Sequence, residues 1–181
     1  MGVAVKKLTW DDLKNLPEDA GRTEIVDGDL IVSPTPSDRH QEISTALAAA
    51  IHPFVKRHKL GKFYGAPVHI VLGEHANFEP DLCFLASGNL HRLQSPVIVG
   101  PPDLIIEIIS ESNRTHDTVV KFQNYERYGV AEYWLVDPRD RRINVWSLQQ
   151  GSYVSVGAFA TGQNIQSRVL TGLQLDPAEI F

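Results

Sequence analysis

The segment PDLIIEIISESNRTHDTVVKFQNYERYGVAEYWLVDP, residues 102–138, decides the fold. Its first part, Asp103 to Ser110, is an apolar run of strand length that is rich in β-branched residues. Alternation along a strand places Glu107 on the same face as Ile105 and Ile109. An ionised carboxylate among isoleucines is costly to bury unless a cation, a hydrogen-bond donor or a metal ion compensates it. This conflict makes Glu107 the first candidate functional residue.

The rest of the segment predicts a helix followed by a second strand. Asp117 to Tyr128 is predicted as the helix, which Gly129 ends, and Glu132 to Val136 is predicted as the strand. A strand, a helix and a strand in succession imply a right-handed crossover between parallel strands of one sheet. The fold class is therefore α/β or α+β, with a central mixed sheet flanked by helices.

The run TEIVDGDLIVSP, residues 23–34, predicts a β-hairpin ahead of this core. Two alternating stretches flank Asp27-Gly28, and glycine accepts the positive φ that a tight hairpin turn needs. Before the hairpin, residues 8–20 predict a short helix that is capped by Thr9.

A long helix and a set of strands follow the hairpin. Asp38, with a glutamine three residues later, resembles a capping box, and apolar residues then recur at helical spacing to about Lys59. One or two strands are predicted within residues 62–72, and another from Phe78 to Leu85. The core order is therefore helix, three strands, helix, strand, with an added N-terminal hairpin, in one domain spanning residues 1–181.

Composition favours a single soluble domain in a reducing compartment. A chain of 181 residues that is 43% hydrophobic is long enough for one well-filled core. Cys83 is its one cysteine, so no disulfide forms within the chain, and the apolar strand pattern around it predicts a buried thiol. The sequence has neither a signal-peptide pattern nor an apolar run long enough to span a membrane. We expect a cytoplasmic protein without membrane partners.

Net charge limits how the chain could meet nucleic acid. A charge of −5 argues against a protein that coats nucleic acid by charge alone. Two basic clusters are still present, within residues 56–62 and 139–142. For each cluster a solvated helix end or a hairpin turn is the simpler interpretation.

Asp81 is a second carboxylate that could join Glu107. It lies at the start of one predicted strand and Glu107 lies in a later one, so the two strands could lie side by side with both carboxylates at the same end. Two like charges at one point raise one another's pKa and titrate as a pair. A divalent ion removes this conflict, and oxygen ligands suit Mg²⁺ or Mn²⁺. Taken alone, however, Pro80-Asp81 is also a common turn pair at a strand start.

Lys121 lies in the helix that leaves the strand of Glu107, on one face with Asp117 and Tyr125. Taken alone, the spacing of Asp117 and Lys121 predicts an ordinary surface ion pair. His40, near the start of the long helix, is most simply a surface residue. The seven histidines show no HExxH or paired ligand spacing, so a zinc site is not predicted.

Taken together and in order, several segments resemble a known family. Pro80-Asp81 followed by Glu107 is similar to the signature of the PD-(D/E)XK nuclease superfamily. More closely, the chain resembles the Uma-two type, a bacterial family of candidate restriction endonucleases. The matching segments are TEIVDGDLIVSP, DRHQ at 38–41, EPDL, PPDLIIEIIS, DTVVK and YGVAEYWLVDP, and the closing GLQLDPAEIF also looks like the family's end.

The resemblance implies a restriction-endonuclease-like core in which Asp81 and Glu107 bind Mg²⁺ or Mn²⁺. The backbone carbonyl of Ile108 is the expected third ligand. The superfamily pattern places a lysine two positions after the glutamate, where this chain has Ile109. Lys121 matches the lysine that this family supplies from the neighbouring helix, and it is the expected catalytic cation.

Two further positions match the family near the amino end of the fold. Glu24 and His40 are therefore also expected at the catalytic site. Glu111 is a departure, since the family commonly has proline there, and it adds one negative charge near the site.

These observations leave two hypotheses for function. The first is a Mg²⁺-dependent endonuclease that hydrolyses phosphodiester bonds of DNA, with DNA assigned by resemblance only. The second is an inactive nucleic-acid-binding or assembly protein on the same fold. The intact Asp81, Glu107 and Lys121 favour the enzyme, whereas the acidic net charge and Ile109 favour the alternative. A homodimer would suit the cutting of two strands, and the oligomeric state stays open.

Overall fold

The computed structural model describes residues 6–17, 21–110 and 114–181. In this part of the chain the strands form two six-stranded sheets. The elements in chain order are α1 (Trp10–Leu13), β1 (Arg22–Val26), β2 (Asp29–Ser33), α2 (Asp38–Arg57), β3 (Gly61–Gly65), β4 (His69–Gly73), β5 (Ala76–Phe78), β6 (Leu82–Ala86), a 3₁₀ helix (Ser87–Arg92), β7 (Leu93–Gln94), β8 (Val97–Val99), β9 (Leu104–Ile108), a π-helical turn (His116–Val120), α3 (Lys121–Tyr128), β10 (Glu132–Asp137), β11 (Arg142–Gln149), β12 (Ser152–Phe159) and a second 3₁₀ helix (Pro177–Glu179).

The main sheet contains the predicted strand–helix–strand unit. Its strands follow the order β12-β11-β10-β9-β6-β3. β9 and β10 are parallel, with Glu107 opposite Leu135, whereas the other neighbouring strands are antiparallel. Every residue of β9 and β10 is buried, because packed layers cover both faces of a parallel pair. The prediction of a central mixed sheet is confirmed.

The two faces of the main sheet bury alternate residues of β9, as the period of a strand requires. Ile106 lies in a cluster with Ile43 and Leu47 of α2. Ile105 lies in a second cluster that includes Tyr125 of α3. The sheet therefore separates α2 from α3, and consecutive side chains of β9 reach one helix or the other.

The predicted hairpin belongs to a second sheet, in the order β2-β1-β5-β4-β8-β7. Asp27 and Gly28 have φ values of 49° and 84°, which are the left-handed values of a tight hairpin turn. The hairpin prediction is thus confirmed. Ile25 of β1 pairs with Asn77 of β5, and the chain passes from β5 directly towards β6 of the main sheet. This pairing holds the hairpin next to the start of β6.

The prediction of one strand from Phe78 to Leu85 is wrong. β5 ends at Phe78, β6 begins at Leu82, and the two strands belong to different sheets. Pro80 lies between them and has no N–H to donate to a strand ladder, so it interrupts the pairing. The interruption places Asp81 at the junction of the two sheets.

Helix boundaries also differ from the predictions. α1 is shorter than predicted and ends at Leu13. The cap of α2 is Ser37, whose side chain accepts a backbone N–H, and not the predicted Asp38. α3 begins at Lys121, because His116–Val120 form a π-helical turn. Turns of this kind are frequent at functional sites.

Helix length and hydropathy bear on membrane association. Among the described residues, no helix is both long enough and apolar enough to cross a bilayer.

Candidate active site

The two candidate carboxylates meet at one end of the main sheet. β6 and β9 are antiparallel with Leu82 opposite Ile106, and this register places Asp81, just before β6, beside Glu107. Oδ2 of Asp81 accepts the backbone N–H of Ile108 at 2.7 Å. Both carboxylates are almost fully buried. Strand pairing therefore brings together two acidic residues that are far apart in the chain.

Glu107 faces α3 and receives two donors from that helix. Its Oε1 accepts from Nζ of Lys121 at 3.0 Å and from the hydroxyl of Tyr125 at 2.6 Å. Burial raises the pKa of Glu107 to about 7, and the ammonium of Lys121 opposes this rise only in part. An additional cation near Glu107 would therefore favour its ionised form.

Lys121 is buried, with 3% of its side chain exposed, and it bridges two carboxylates. Its Nζ lies 3.0 Å from Oε1 of Glu24 and 3.0 Å from Oε1 of Glu107, but 3.9 Å from Oδ1 of Asp117. Burial alone would lower the pKa of Lys121, but the two glutamates outweigh it and raise the pKa above its ordinary value. The ammonium is charged, and the interpretation of Lys121 as a surface partner of Asp117 is wrong.

Glu24 reaches the site from β1 of the second sheet. Its Oε1 accepts the N–H of Glu79 at 3.0 Å, and its Oε2 lies 2.9 Å from Nε2 of His116. Burial alone would raise the pKa of Glu24, but Lys121 and His116 outweigh it, and the pKa is lowered to about 2. Glu24 is therefore a fixed negative charge that holds Lys121 in place.

His40 faces Asp81 from the first turn of α2. Its Nε2 lies 3.2 Å from Oδ2 of Asp81, and the residue is only 7% exposed. Burial would lower the pKa of His40, but the hydrogen bond to Asp81 outweighs it and raises the pKa. Burial would raise the pKa of Asp81, yet His40 and Arg22 hold it well below its usual value. The interpretation of His40 as a surface residue is wrong.

Arg22 is a residue of the site that the sequence analysis missed. Its Nη1 lies 2.8 Å from Oδ1 of Asp81 and its Nη2 lies 3.7 Å from Oε2 of Glu107, so one guanidinium spans both carboxylates. Alternation along the hairpin strand puts Arg22 on the same face as Glu24, and this shared face was the sequence signal that could have assigned Arg22 to the site. It was weak, because an arginine at the start of a strand is ordinarily solvated.

Comparison with known proteins identifies the family. A family model described as "Uma2: Putative restriction endonuclease" matches residues 10–178. The chain belongs to the Uma2 family. A solved structure described as "a putative nuclease belonging to DUF820" from Anabaena variabilis ATCC 29413 is similar over 96% of this chain and 97% of that chain, with a TM-score of 0.82 and 21% sequence identity. No curated protein matches the chain. The predicted family and fold class are confirmed.

Ile109 is the residue that this Uma2 chain has where the superfamily pattern has a lysine. It is 6% exposed and belongs to the apolar cluster that contains Tyr125. It also lines the cleft, and the ammonium that contacts Glu107 comes instead from Lys121 of α3. Glu111, the other departure, lies outside the described residues.

A cleft of about 600 Å³ opens onto the carboxylates of the Uma2 chain. Its lining includes the acidic residues of the site and three further cations, Arg39, Arg114 and Arg139. Arg139 belongs to the basic cluster predicted at 139–142, whereas residues 56–62 do not line the cleft. The charge of the cleft is therefore more positive than the acidic net charge of the chain suggests.

The donor chemistry of the Uma2 site fits a hard divalent ion. Asp81 and Glu107 provide carboxylate oxygens at one point, and Ile108 lines the same cleft. In the described ranges, no three His, Cys, Asp or Glu side chains are grouped as a metal site. The protein would therefore supply two carboxylates and leave the other positions to a carbonyl and water, which is how Mg²⁺ is commonly held. Structural zinc sites, by contrast, need four protein ligands.

Proposed function

We propose that this Uma2 chain is a Mg²⁺- or Mn²⁺-dependent endonuclease that hydrolyses phosphodiester bonds of DNA. The observation that carries the proposal is the convergence of Asp81, Glu107 and Lys121 at one cleft. Two carboxylates meet there beside a buried, charged ammonium. Catalysis of phosphoryl transfer depends on cations and fixed donors that stabilise the charge developing on the phosphate.

Each of these residues has a role that its contacts support. Asp81, Glu107 and the carbonyl of Ile108 would hold the ion, which when bound polarises the scissile phosphate and lowers the pKa of a water. Lys121 would orient the attacking water or stabilise charge on the phosphoryl oxygens. Glu24 keeps the ammonium of Lys121 charged and in position.

His40 is proposed to position Asp81. It lies 3.2 Å from Oδ2 of Asp81, the same oxygen that accepts the N–H of Ile108. These two contacts restrict rotation of the carboxylate and leave Oδ1 directed towards the guanidinium of Arg22. A fixed carboxylate loses less conformational entropy when it binds an ion.

DNA as the substrate is supported by the family description and by the cations of the cleft. Arginines commonly contact phosphate oxygens in complexes with nucleic acid, and Arg39, Arg114 and Arg139 line this cleft. A homodimer would present two such clefts to the two strands of a duplex. The proposal also includes three expectations about the whole protein. It forms a homodimer, it is a single domain over residues 1–181, and it is cytoplasmic.

Cleavage of a long DNA of mixed sequence tests the proposal. With Mg²⁺ or Mn²⁺ the protein should produce breaks that a chelator abolishes, and Asp81→Asn should lower the rate at least about a hundredfold. Asp29→Asn is the matched control, because Asp29 is exposed and pairs with Lys7 at the surface. Equal rates in the two variants, or activity that resists the chelator, would contradict the proposal. RNA of the same sequence shows whether the substrate is DNA.

An inactive nucleic-acid-binding protein is the second candidate function. Arg22 favours it, because its guanidinium already contacts Asp81 and lies 3.7 Å from Glu107. Salt-sensitive binding of DNA, without cleavage in either metal, would support this function.

A further inference from the structure

Arg22 faces one oxygen of each carboxylate that is proposed to bind the metal. It donates to Oδ1 of Asp81 at 2.8 Å and lies 3.7 Å from Oε2 of Glu107. The other oxygens have other donors, since Oδ2 of Asp81 accepts from Ile108 and Oε1 of Glu107 accepts from Lys121. The guanidinium thus lies where one cation can contact both carboxylates.

The charges of the cluster explain why a cation is needed at this position. Lys121 lies between Glu24 and Glu107 and is 3.0 Å from each. His40 lies beside Oδ2 of Asp81, so Oδ1 of Asp81 and Oε2 of Glu107 are the oxygens that still need a positive charge on the cleft side, since like charges at one point disfavour ionisation. An arginine guanidinium stays protonated in proteins. Arg22 is charged and supplies that positive charge.

We propose that Arg22 is the resident cation of the metal site, and that a metal ion binds Asp81 and Glu107 only when the guanidinium leaves its position between them. The inference rests on the proposed function, because it requires that these carboxylates bind the ion. Arg22 is then a positioning residue that holds the carboxylates together before the ion arrives. It also competes with the ion and weakens its binding.

The surroundings of Arg22 provide a place for the displaced guanidinium. Arg22 lines the main cleft and also a second cleft of about 410 Å³. Glu79 borders this second cleft and already contacts Arg22: Nε donates to the Glu79 carbonyl at 3.0 Å and lies 3.8 Å from its Oε1. A guanidinium that leaves Asp81 therefore keeps an acidic partner and does not become a buried unpaired charge.

Metal affinity in the absence of nucleic acid tests this inference. Calorimetric titration with Mn²⁺ should show at least about tenfold tighter binding to Arg22→Gln than to the wild type, a difference of about 1.4 kcal/mol. Arg139→Gln is the matched control, because it removes a cation from the same cleft, and its affinity should change less than about twofold, since exposed charges are screened.

The outcomes separate the inference from the proposed function. Binding of Mn²⁺ to Arg22→Gln that is no tighter than to Arg139→Gln overturns the role of Arg22 and leaves the metal site of the wild type standing. Absence of Mn²⁺ binding in the wild type and in both variants overturns the inference and the proposed function together.

A measurement on the unaltered protein does not depend on the folding of a variant. In ¹⁵N-labelled wild-type protein, the Nη1 signal of Arg22, which donates to Asp81, is assigned through the backbone and Nε and followed during titration with Mg²⁺. Exchange of its protons with water should become at least about tenfold faster at saturation, because Nη1 leaves Asp81. An exchange rate that is unchanged at saturating Mg²⁺ overturns the inference.

Discussion

Glu107 of β9 and Glu132 of β10 are buried glutamates at opposite ends of two neighbouring parallel strands. Glu107 shares its oxygens among Lys121, Tyr125 and Arg22, and it lines the cleft. Glu132 does not line the cleft, and it receives its hydrogen bonds from neutral groups. The same side chain, with the same burial, therefore has two different environments in one sheet.

The contacts of Glu132 are those of a structural residue. Its oxygens accept from Nε1 of Trp134 at 2.7 Å, Oγ of Ser167 at 2.6 Å, and the N–H groups of Arg168 and Val169 at 2.6 and 3.2 Å. A carboxylate with this many fixed donors is stable without a cation. These bonds tie the start of β10 to the segment that follows β12.

The comparison shows that burial alone does not identify a functional carboxylate. Glu107 is surrounded by charges that neutralise it only in part, and its pKa is raised to about 7 by burial. What distinguishes Glu107 is incomplete neutralisation next to a cleft, a combination typical of functional sites. The following experiments test this distinction.

The largest expected difference is in hydrolysis. Glu107→Gln should lower the rate of DNA cleavage about a hundredfold to a thousandfold, because it removes a ligand charge from the proposed site. Glu132→Gln should cleave at nearly the wild-type rate at temperatures where it is folded. Comparable losses in both variants would show that the two glutamates are not functionally distinct.

The next effect concerns Lys121. Lys121→Ala leaves Glu24 and Glu107 buried without their shared ammonium, so we expect a loss of about 3–5 kcal/mol in the free energy of unfolding. Urea denaturation at pH 8 measures it. The control is Lys14→Ala, which breaks an exposed pair with Asp11 and should change stability by less than about 1 kcal/mol. Similar losses in both variants would mean that the buried cluster is not an electrostatic unit.

A smaller and opposite pair of effects is expected for the two glutamates in chelator at pH 8. Glu132→Gln should lose about 2 kcal/mol of stability, since hydrogen bonds to a charged acceptor are weakened. Glu107→Gln should be as stable as the wild type or more stable, because it removes a desolvated charge. Thermal melting checks both. A loss above about 2 kcal/mol in Glu107→Gln would mark that residue as half of a structural pair.

The smallest effect concerns Asp137, at the other end of β10 from Glu132. Burial would raise the pKa of Asp137, but the hydrogen bond from Arg114 at 2.6 Å outweighs it and lowers the pKa. The ionised form therefore adds stability above the pKa of an unfolded aspartate, about 3.9, and this contribution is lost as pH falls through the lower, folded-state pKa. Asp137→Asn should melt below the wild type at pH 7, and the difference should vanish towards pH 2. A difference that does not depend on pH would refute this explanation.

The convergence of Asp81 and Glu107 was predictable in part. Alternation along β9 correctly assigned Glu107 to the face of Ile105 and Ile109. The burial of Lys121 was not predictable from its spacing to Asp117, because the same spacing occurs in surface ion pairs. Its depth follows from the packing of α3 against the main sheet, which sequence periodicity does not measure.

The sequence by itself determined the local structure of this protein: the alternation in β9, the turn at Asp27-Gly28, the apolar face of α2 and the end of α3 at Gly129. These features depend on backbone sterics and side-chain period over a few residues. Only the tertiary structure decided which charges share the site. Arg22, Glu24, Asp81, Glu107 and Lys121 come from elements of both sheets and from α3. Their ionisation depends on burial and on neighbours that strand pairing supplies, and those neighbours are distant in the sequence.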